Sequence, residues 1–202
     1  MARIFNVPVQ PFVPNPTLTS VTPTGGAAQS ITYKIVGIGS DGATTAASAG
    51  VTDATGPTTL DATHFETLVW TDPLNAAFVD IYRTAGGTSQ GKIGRVAAGV
   101  ETFVDDGKVG DAISPPTSNF TGVGTAVECA SLRDKSVQVD GTFVSTNQLQ
   151  GTIDGLNWQN EGSAQTTAGV VNISTSWMSI RNKQTAYTSG TVAITLCGHE
   201  ER

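Results

Sequence analysis

Polar and apolar residues alternate with a period of two along much of this chain, and the clearest runs lie in its last third. Over residues 136–143, Val137, Val139, Gly141 and Phe143 share one phase, while Gln138, Asp140 and Thr142 take the other. Over 191–197 the inward set is Val192, Ile194 and Leu196. Such alternation predicts strands with one buried face. Further strands are predicted over 126–132, 147–153, 170–174 and 177–181. The run 148–158 organises this region: alternation continues to Asp154-Gly155, a pair suited to a tight turn, and Trp158 follows where it can fold back on the sheet. Ser189-Gly190 predicts a turn before the last strand, and residues 199–202 a loose charged tail.

From Leu18 to Pro116 short strands alternate with turn residues, as in a sandwich. They are predicted over 31–39, 65–71 with Trp70, 78–84 with Tyr82, 92–97 and 102–104, with a weaker Ala-rich edge strand over 44–51. No segment carries the 3.6-residue period of a helix. Residues 111–119, with Ser and a Pro pair, predict a linker. Residues 1–17 interleave Ile4, Phe5, Val7, Val9, Phe12 and Val13 with four prolines, which block helix and central strand and favour an extended path. This arm either lies along its own domain as an edge or docks on a neighbouring subunit. The second reading is adopted, with those six apolar residues as the contact, because an exposed apolar strip on a monomer is a liability. The predicted organisation is an arm (1–17) and two tandem β-sandwich domains (18–116 and 117–202) in an all-β chain.

Composition supports that reading. Of 202 residues, 30 are Thr and only 14% are charged, against about 25% in an average soluble domain. Thr and Val suit pleated surfaces, and strong helix formers are sparse. The net charge of -6 and the lack of a Lys/Arg cluster argue against a nucleic-acid partner. Neither a signal-peptide core nor a run of about 18 apolar residues occurs, so no membrane partner is expected and synthesis is expected in a cytoplasm. Cys129 and Cys197 are too few for a disulfide framework and wrongly spaced for zinc, and are expected as buried free thiols.

Candidate chemistry is thin. A hydrolase needs a nucleophile against a base, and the imidazoles are His64, beside a strand, and His199, in the tail. Asp105-Asp106 and Asp154 adjoin turn glycines, where Asp serves local hydrogen bonding. No Asp-x-Asp-x-Asp-Gly loop points to calcium, and Gly25-Gly26 and Gly86-Gly87 lack the Lys-Ser or Lys-Thr of a phosphate loop. No enzyme, cofactor or metal site is expected. Trp158 and Trp177 could together form an aromatic platform for a glycan, although a Trp at such positions more often packs in a core or at its rim.

Two resemblances add to this. Leu68-Val69-Trp70-Thr71 and Phe78-Val79-Asp80-Ile81-Tyr82-Arg83 resemble strands B and C of a fibronectin type III domain. Thr102-Phe103-Val104-Asp105-Asp106-Gly107 resembles the end of its strand E. Thr32-Tyr33-Lys34-Ile35-Val36-Gly37-Ile38 resembles strand F, with its turn into G at Ser40-Asp41-Gly42. The resemblance implies a circular permutation in which F and G precede A, B, C and E. The second region, through residues 136–143, Leu149-Gln150-Gly151-Thr152-Ile153-Asp154-Gly155-Leu156-Asn157-Trp158, Ser179-Ile180-Arg181 and 190–196, is similar to small β-sandwich proteins of tailed-bacteriophage virions. That likeness implies a capsid decoration (cement) protein on the virion surface, with the major capsid protein as partner and self-association, often as trimers. A tail, neck or fibre component binding host glycans is the alternative, and discoidin-like carbohydrate or lipid binders share a similar Asp-Gly-x-x-Trp turn.

Overall fold

The structure, a computed structural model, describes residues 1–25 and 29–200. Among them it is all-β, with thirteen strands and no helix. In chain order these are β1 (Ala2–Asn6), β2 (Thr17–Thr24), β3 (Gln29–Ile38), β4 (Val51–Gly56), β5 (Phe65–Thr71), β6 (Phe78–Ala85), β7 (Gly91–Ala97), β8 (Thr102–Asp105), β9 (Val127–Glu128), β10 (Leu132–Thr152), β11 (Gln159–Asn160), β12 (Gly169–Ile173) and β13 (Ser179–Glu200). The chain forms two compact units, Val13–Thr121 and Met1–Phe12 together with Gly122–Arg202.

In the Val13–Thr121 unit, β2-β5-β8 form one antiparallel sheet and β4-β3-β6-β7 the other. Alternation sets the core. Ile31, Tyr33 and Ile35 of β3 meet Leu68 and Trp70 of β5, Val79 and Ile81 of β6, and Ile93 of β7. Each fully buried aliphatic side chain contributes about 1.5–3 kcal/mol. Residues 44–51 are not the edge strand that their composition predicts, since β4 begins only at Val51. Side-chain hydroxyls there enter the backbone pattern of β3: Gly37 N–H donates to Thr45 Oγ1 and Ile35 N–H to Ser48 Oγ, both at 3.0 Å. Thr45 N–H and Ser48 N–H donate back to the Gly37 and Ile35 carbonyls. Residues 111–119 lie on this unit: Asp111 Oδ1 accepts from the Lys92 and Ile113 amides, and Ala47 N–H donates to Pro116 O.

The other unit is built on β10 and β13, of 21 and 22 residues, which pair antiparallel along nearly their whole length. Each fuses two predicted strands. Bulges between Val144 and Ser145 and between Thr146 and Asn147 break the strict alternation there without ending the strand. The predicted turn at Ser189-Gly190 is instead continuous strand. Gly190 (φ 94°) lies opposite Phe143, and a Cβ on it would sit 2.1 Å from the Thr142 carbonyl, so glycine answers a close approach of backbones. His199 and Glu200 of the predicted loose tail belong to β13, and Glu201 and Arg202 lie outside the described residues. On the outer edge of β13, β9 pairs with Ser179 and Ile180 and β1 with residues 195–199. β11 and β12 take the outer edge of β10. The core comprises Val7, Leu132, Val137, Val139, Leu149, Ile173, Trp177, Ile180, Ile194 and Leu196 with Cys129, so the inward phases of 136–143 and 191–197 hold except at Gly141, which is exposed. Cys129 and Cys197 are free; Cys129 is buried, which pushes its thiol pKa up, whereas Cys197 is half-buried.

Candidate functional site

The six apolar residues of the predicted arm divide among several environments. Pairing of β1 with β13 makes the first residues an edge strand, and Val7 N–H continues it by donating to Ile194 O at 2.9 Å. Val7 is in the core of this unit, with Phe5 and Val9 packed partly against it, and Phe12 is half-buried with its N–H donated to Gln184 Oε1. Val13 is buried in the Val13–Thr121 unit; its N–H donates to Thr121 Oγ1, and its carbonyl accepts from Thr121 Oγ1 and Asn119 Nδ2. Burial within the chain removes Val7 and Val13 from any partner. Ile4, 71% exposed, faces outward beside an Arg3–Glu200 ion pair.

The two tryptophans do not make one platform. Trp177 is 8% exposed, its Nε1–H donates to Glu161 Oε2 at 2.6 Å, and its ring covers Gly151 so closely that a Cβ there would lie 2.2 Å from it. It is a core residue. Trp158 is half-buried at the rim, with the Arg181 guanidinium 4.0 Å from its ring centroid. Arg181 is fixed in turn by Nε and Nη2 donating to Gln150 Oε1, and Gln150 Nε2 donates to Asn160 Oδ1.

Between Thr152 and Trp158 the hairpin tip is organised by one carboxylate. Asp154 Oδ1 accepts from Thr152 Oγ1 (2.9 Å), Leu156 N–H (2.9 Å) and Asn157 N–H (2.8 Å), and Oδ2 from Asn157 Nδ2 (2.6 Å). These bonds hold the carboxyl well below the usual carboxylate range, and Gly155 supplies the positive φ of 76°. The tip lifts Ile153 (69% exposed) and Leu156 (82%) into solvent, and Met178 Cε lies close to Gly155.

His64 lies in a local turn: Asp61 Oδ1 accepts from the Thr63 and His64 amides, and His64 Nδ1 is 3.0 Å from it. His199 pairs across the sheet with Ala2 and Arg133. Among the described residues no three His, Cys, Asp or Glu side chains converge as metal ligands, and no helix is long and apolar enough to cross a membrane, which says nothing of a β-barrel.

No protein family matches this chain, and no curated protein does. A solved structure that it is similar to is the crystal structure of the PBSX exported protein XepA, at 14% identity over 98% of this chain and 86% of that chain, with a TM-score of 0.31. That likeness is too distant to carry a functional argument.

Sequence reading misses a group of buried charges in the Val13–Thr121 unit. Arg83 and Asp105, both fully buried, meet at 2.5 Å, Tyr33 hydroxyl donates to the same Asp105 oxygen at 2.8 Å, and Glu66 lies in the same interior. The signal is one of phase. Glu66 alternates in register with Leu68 and Trp70, and Arg83 with Val79 and Ile81, so both strands point a charge inward.

Proposed function

We propose that this chain is a non-enzymatic structural protein of a tailed-bacteriophage virion, which binds the assembled capsid as a decoration (cement) protein and self-associates there. The observation that carries the reading is the hairpin tip, where a carboxylate-braced loop holds Ile153 and Leu156 in solvent. A rigid apolar tip loses little conformational entropy on docking, so its burial is available to association. Ile4 on the β1 edge adds a second outward apolar position in the same unit. The resemblance of residues 136–196 to virion β-sandwich proteins supplies the partner, the major capsid protein. The mechanism is mass action: binding only the closed shell shifts the equilibrium against its opening. The fibronectin type III resemblance belongs to the same reading. The segments resembling B and E (β5 and β8) share one sheet, and those resembling F and C (β3 and β6) are neighbours in the other, which supports it. The permutation differs in detail, because β2 precedes the F-like strand and pairs with the B-like one.

Co-sedimentation with purified capsids and with tails separates the placements. Pelleting with capsids is expected, and retention on tails after removal of heads would place the protein in the tail, neck or fibre. The glycan reading of that alternative rests on Trp158, whose ring is half-exposed at the rim. Glycan binding that is lost in Trp158→Ala with an unchanged thermal midpoint would support it.

A further inference from the structure

We propose that Asp53 and Glu66 share one proton as a clamp that ties the edge strand β4 to β5 across the interior of the Val13–Thr121 unit, and that loss of this proton loosens β4. Glu66 stands in β5 opposite Pro23 of β2 and Asp105 of β8, and it is 0% exposed. Glu66 Oε1 and Oε2 and Asp53 Oδ2 are buried, and no donor among the described residues reaches any of the three. Two ionised carboxylates there would leave buried oxygens without partners and would repel one another. A single O–H between them removes one charge and satisfies two of the orphaned oxygens.

The surroundings decide which acid carries the proton. Asp53 Oδ1 already accepts from Thr55 N–H (2.9 Å) and Thr55 Oγ1 (2.8 Å), so only Asp53 Oδ2 is left to accept the shared proton. Glu66 has no such bonds. The other ionisable groups near it are Asp105 of β8 and Tyr33 of β3; Tyr33 hydroxyl and Arg83 Nη1 of β6 both donate to Asp105 Oδ2, while Arg83 Nε and Nη2 donate to Ser89 O and Lys108 O. Burial first, then the charge of Asp53, its hydrogen bond and the charge of Asp105 push the Glu66 carboxyl up to about 7. On β4 itself, Gly56 brings the backbone against this carboxyl, since a Cβ there would lie 2.5 Å from Glu66 Oε1. A bound metal ion is a poorer occupant, because only two carboxylates meet and no third ligand joins them among the described residues.

Glu66 binds its proton more tightly in the folded chain than in the unfolded one, where its pKa is near 4.5. The stabilisation is therefore complete below that value and is lost as pH rises through about 7. Between pH 6 and 9 the folding equilibrium constant falls about tenfold from this group alone.

The test is a carboxyl-detected NMR titration of the full chain, together with thermal midpoints from pH 6 to 9. Glu66 is expected to titrate near 7, and the wild-type midpoint to fall toward pH 9 more steeply than that of Glu66→Gln, whose amide can still donate to Asp53 but cannot titrate. After correction for intrinsic rates, β4 amides are expected to exchange faster at pH 9 than at pH 6 in the wild type. A Glu66 midpoint near 4.5, or parallel pH profiles for the wild type and Glu66→Gln, overturns the proposal. Should Glu66→Gln fail to fold, Asp53→Asn decides: it is expected to lower the Glu66 midpoint, and an unchanged midpoint overturns the clamp. A calcium-dependent rise in thermal midpoint that Glu66→Gln abolishes would also overturn it, by showing that the pair holds a cation.

Discussion

The two units of this chain bury polar side chains in opposite ways. In Val13–Thr121 the interior holds ionisable groups, with the Arg83–Asp105 ion pair and the Glu66 carboxyl fully buried and Tyr33 hydrogen-bonded to Asp105. In the unit built on β10 and β13 it holds mainly neutral amides: Asn147, Gln148, Gln150, Asn182 and Gln184 are all buried, and Lys135, whose Nζ donates to Leu132 O, and Glu161 are the charged exceptions. The amides bond to one another and to backbone, as where Asn182 Nδ2 donates to Asn147 Oδ1 and Gln148 Nε2 to the Leu149 and Glu161 carbonyls. An interior of ions has high stakes and responds to pH, because the energy of each group depends on the charge of its neighbours. An interior of amides fixes register with little dependence on pH. The comparison teaches that the sandwich unit can respond to conditions, while the long hairpin is a fixed scaffold for its tip.

The largest expected effect breaks the ionic interior. Arg83 Nη1 meets Asp105 Oδ2, Arg83 Nε donates to Ser89 O at 2.8 Å and Nη2 to Lys108 O at 2.7 Å. Arg83→Met removes all of these and leaves Asp105 without its counter-charge. Breaking a buried pair in this way costs about 3–5 kcal/mol. Urea denaturation of the full chain should show that loss, and hydrogen exchange read by peptide should place the new opening in residues 13–121. Equal loss of protection in residues 132–200 would contradict the contrast between the units.

A smaller effect is expected where the scaffold is set by packing. Gly151→Ala puts a methyl group into the Trp177 ring, which Glu161 holds by its Nε1–H. Overpacking of this kind costs about 1–3 kcal/mol, and the loss should be the same at pH 6 and pH 8.5. A cost that changes with pH would weaken the distinction drawn above.

This contrast explains what could be read from the chain. Strand phases at 136–143 and 191–197 were legible because one face is apolar and the other polar, the case in which a period of two is informative. The continuity of β10 and β13 was not. The gap between the strands predicted over 136–143 and 147–153 falls at Val144-Ser145-Thr146, where bulges interrupt the alternation without ending the strand. The Ser189-Gly190 pair misled for a related reason, since glycine marks a turn and a close backbone approach equally well. The tip was legible as a turn from Asp154-Gly155, yet its outward Ile153 and Leu156 were not, because alternation cannot tell which strand end runs past the core. Glu66 carried a signal in its phase with Leu68 and Trp70, but its missing donor is a fact of three dimensions.

The smallest effect on stability falls at the tip, and it tests whether the scaffold ends in a preformed contact surface. Asp154 gathers its four hydrogen bonds within residues 152–157, so Asp154→Ala should leave the thermal midpoint of the full chain unchanged while the Leu156 and Asn157 amides lose exchange protection. The folded carboxyl is held below its ordinary value of 3.8, so its contribution is present above that pH and is lost only as pH falls further below it. In the wild type the loop should therefore stay protected at pH 4, where Glu66 is protonated and the clamp is closed. Leu156→Ser should likewise leave the midpoint unchanged and reduce pelleting with capsids. If Asp154→Ala loosens the loop without weakening pelleting, the apolar side chains would bind without preorganisation, and the rigid frame beneath them would have to be explained by something other than docking.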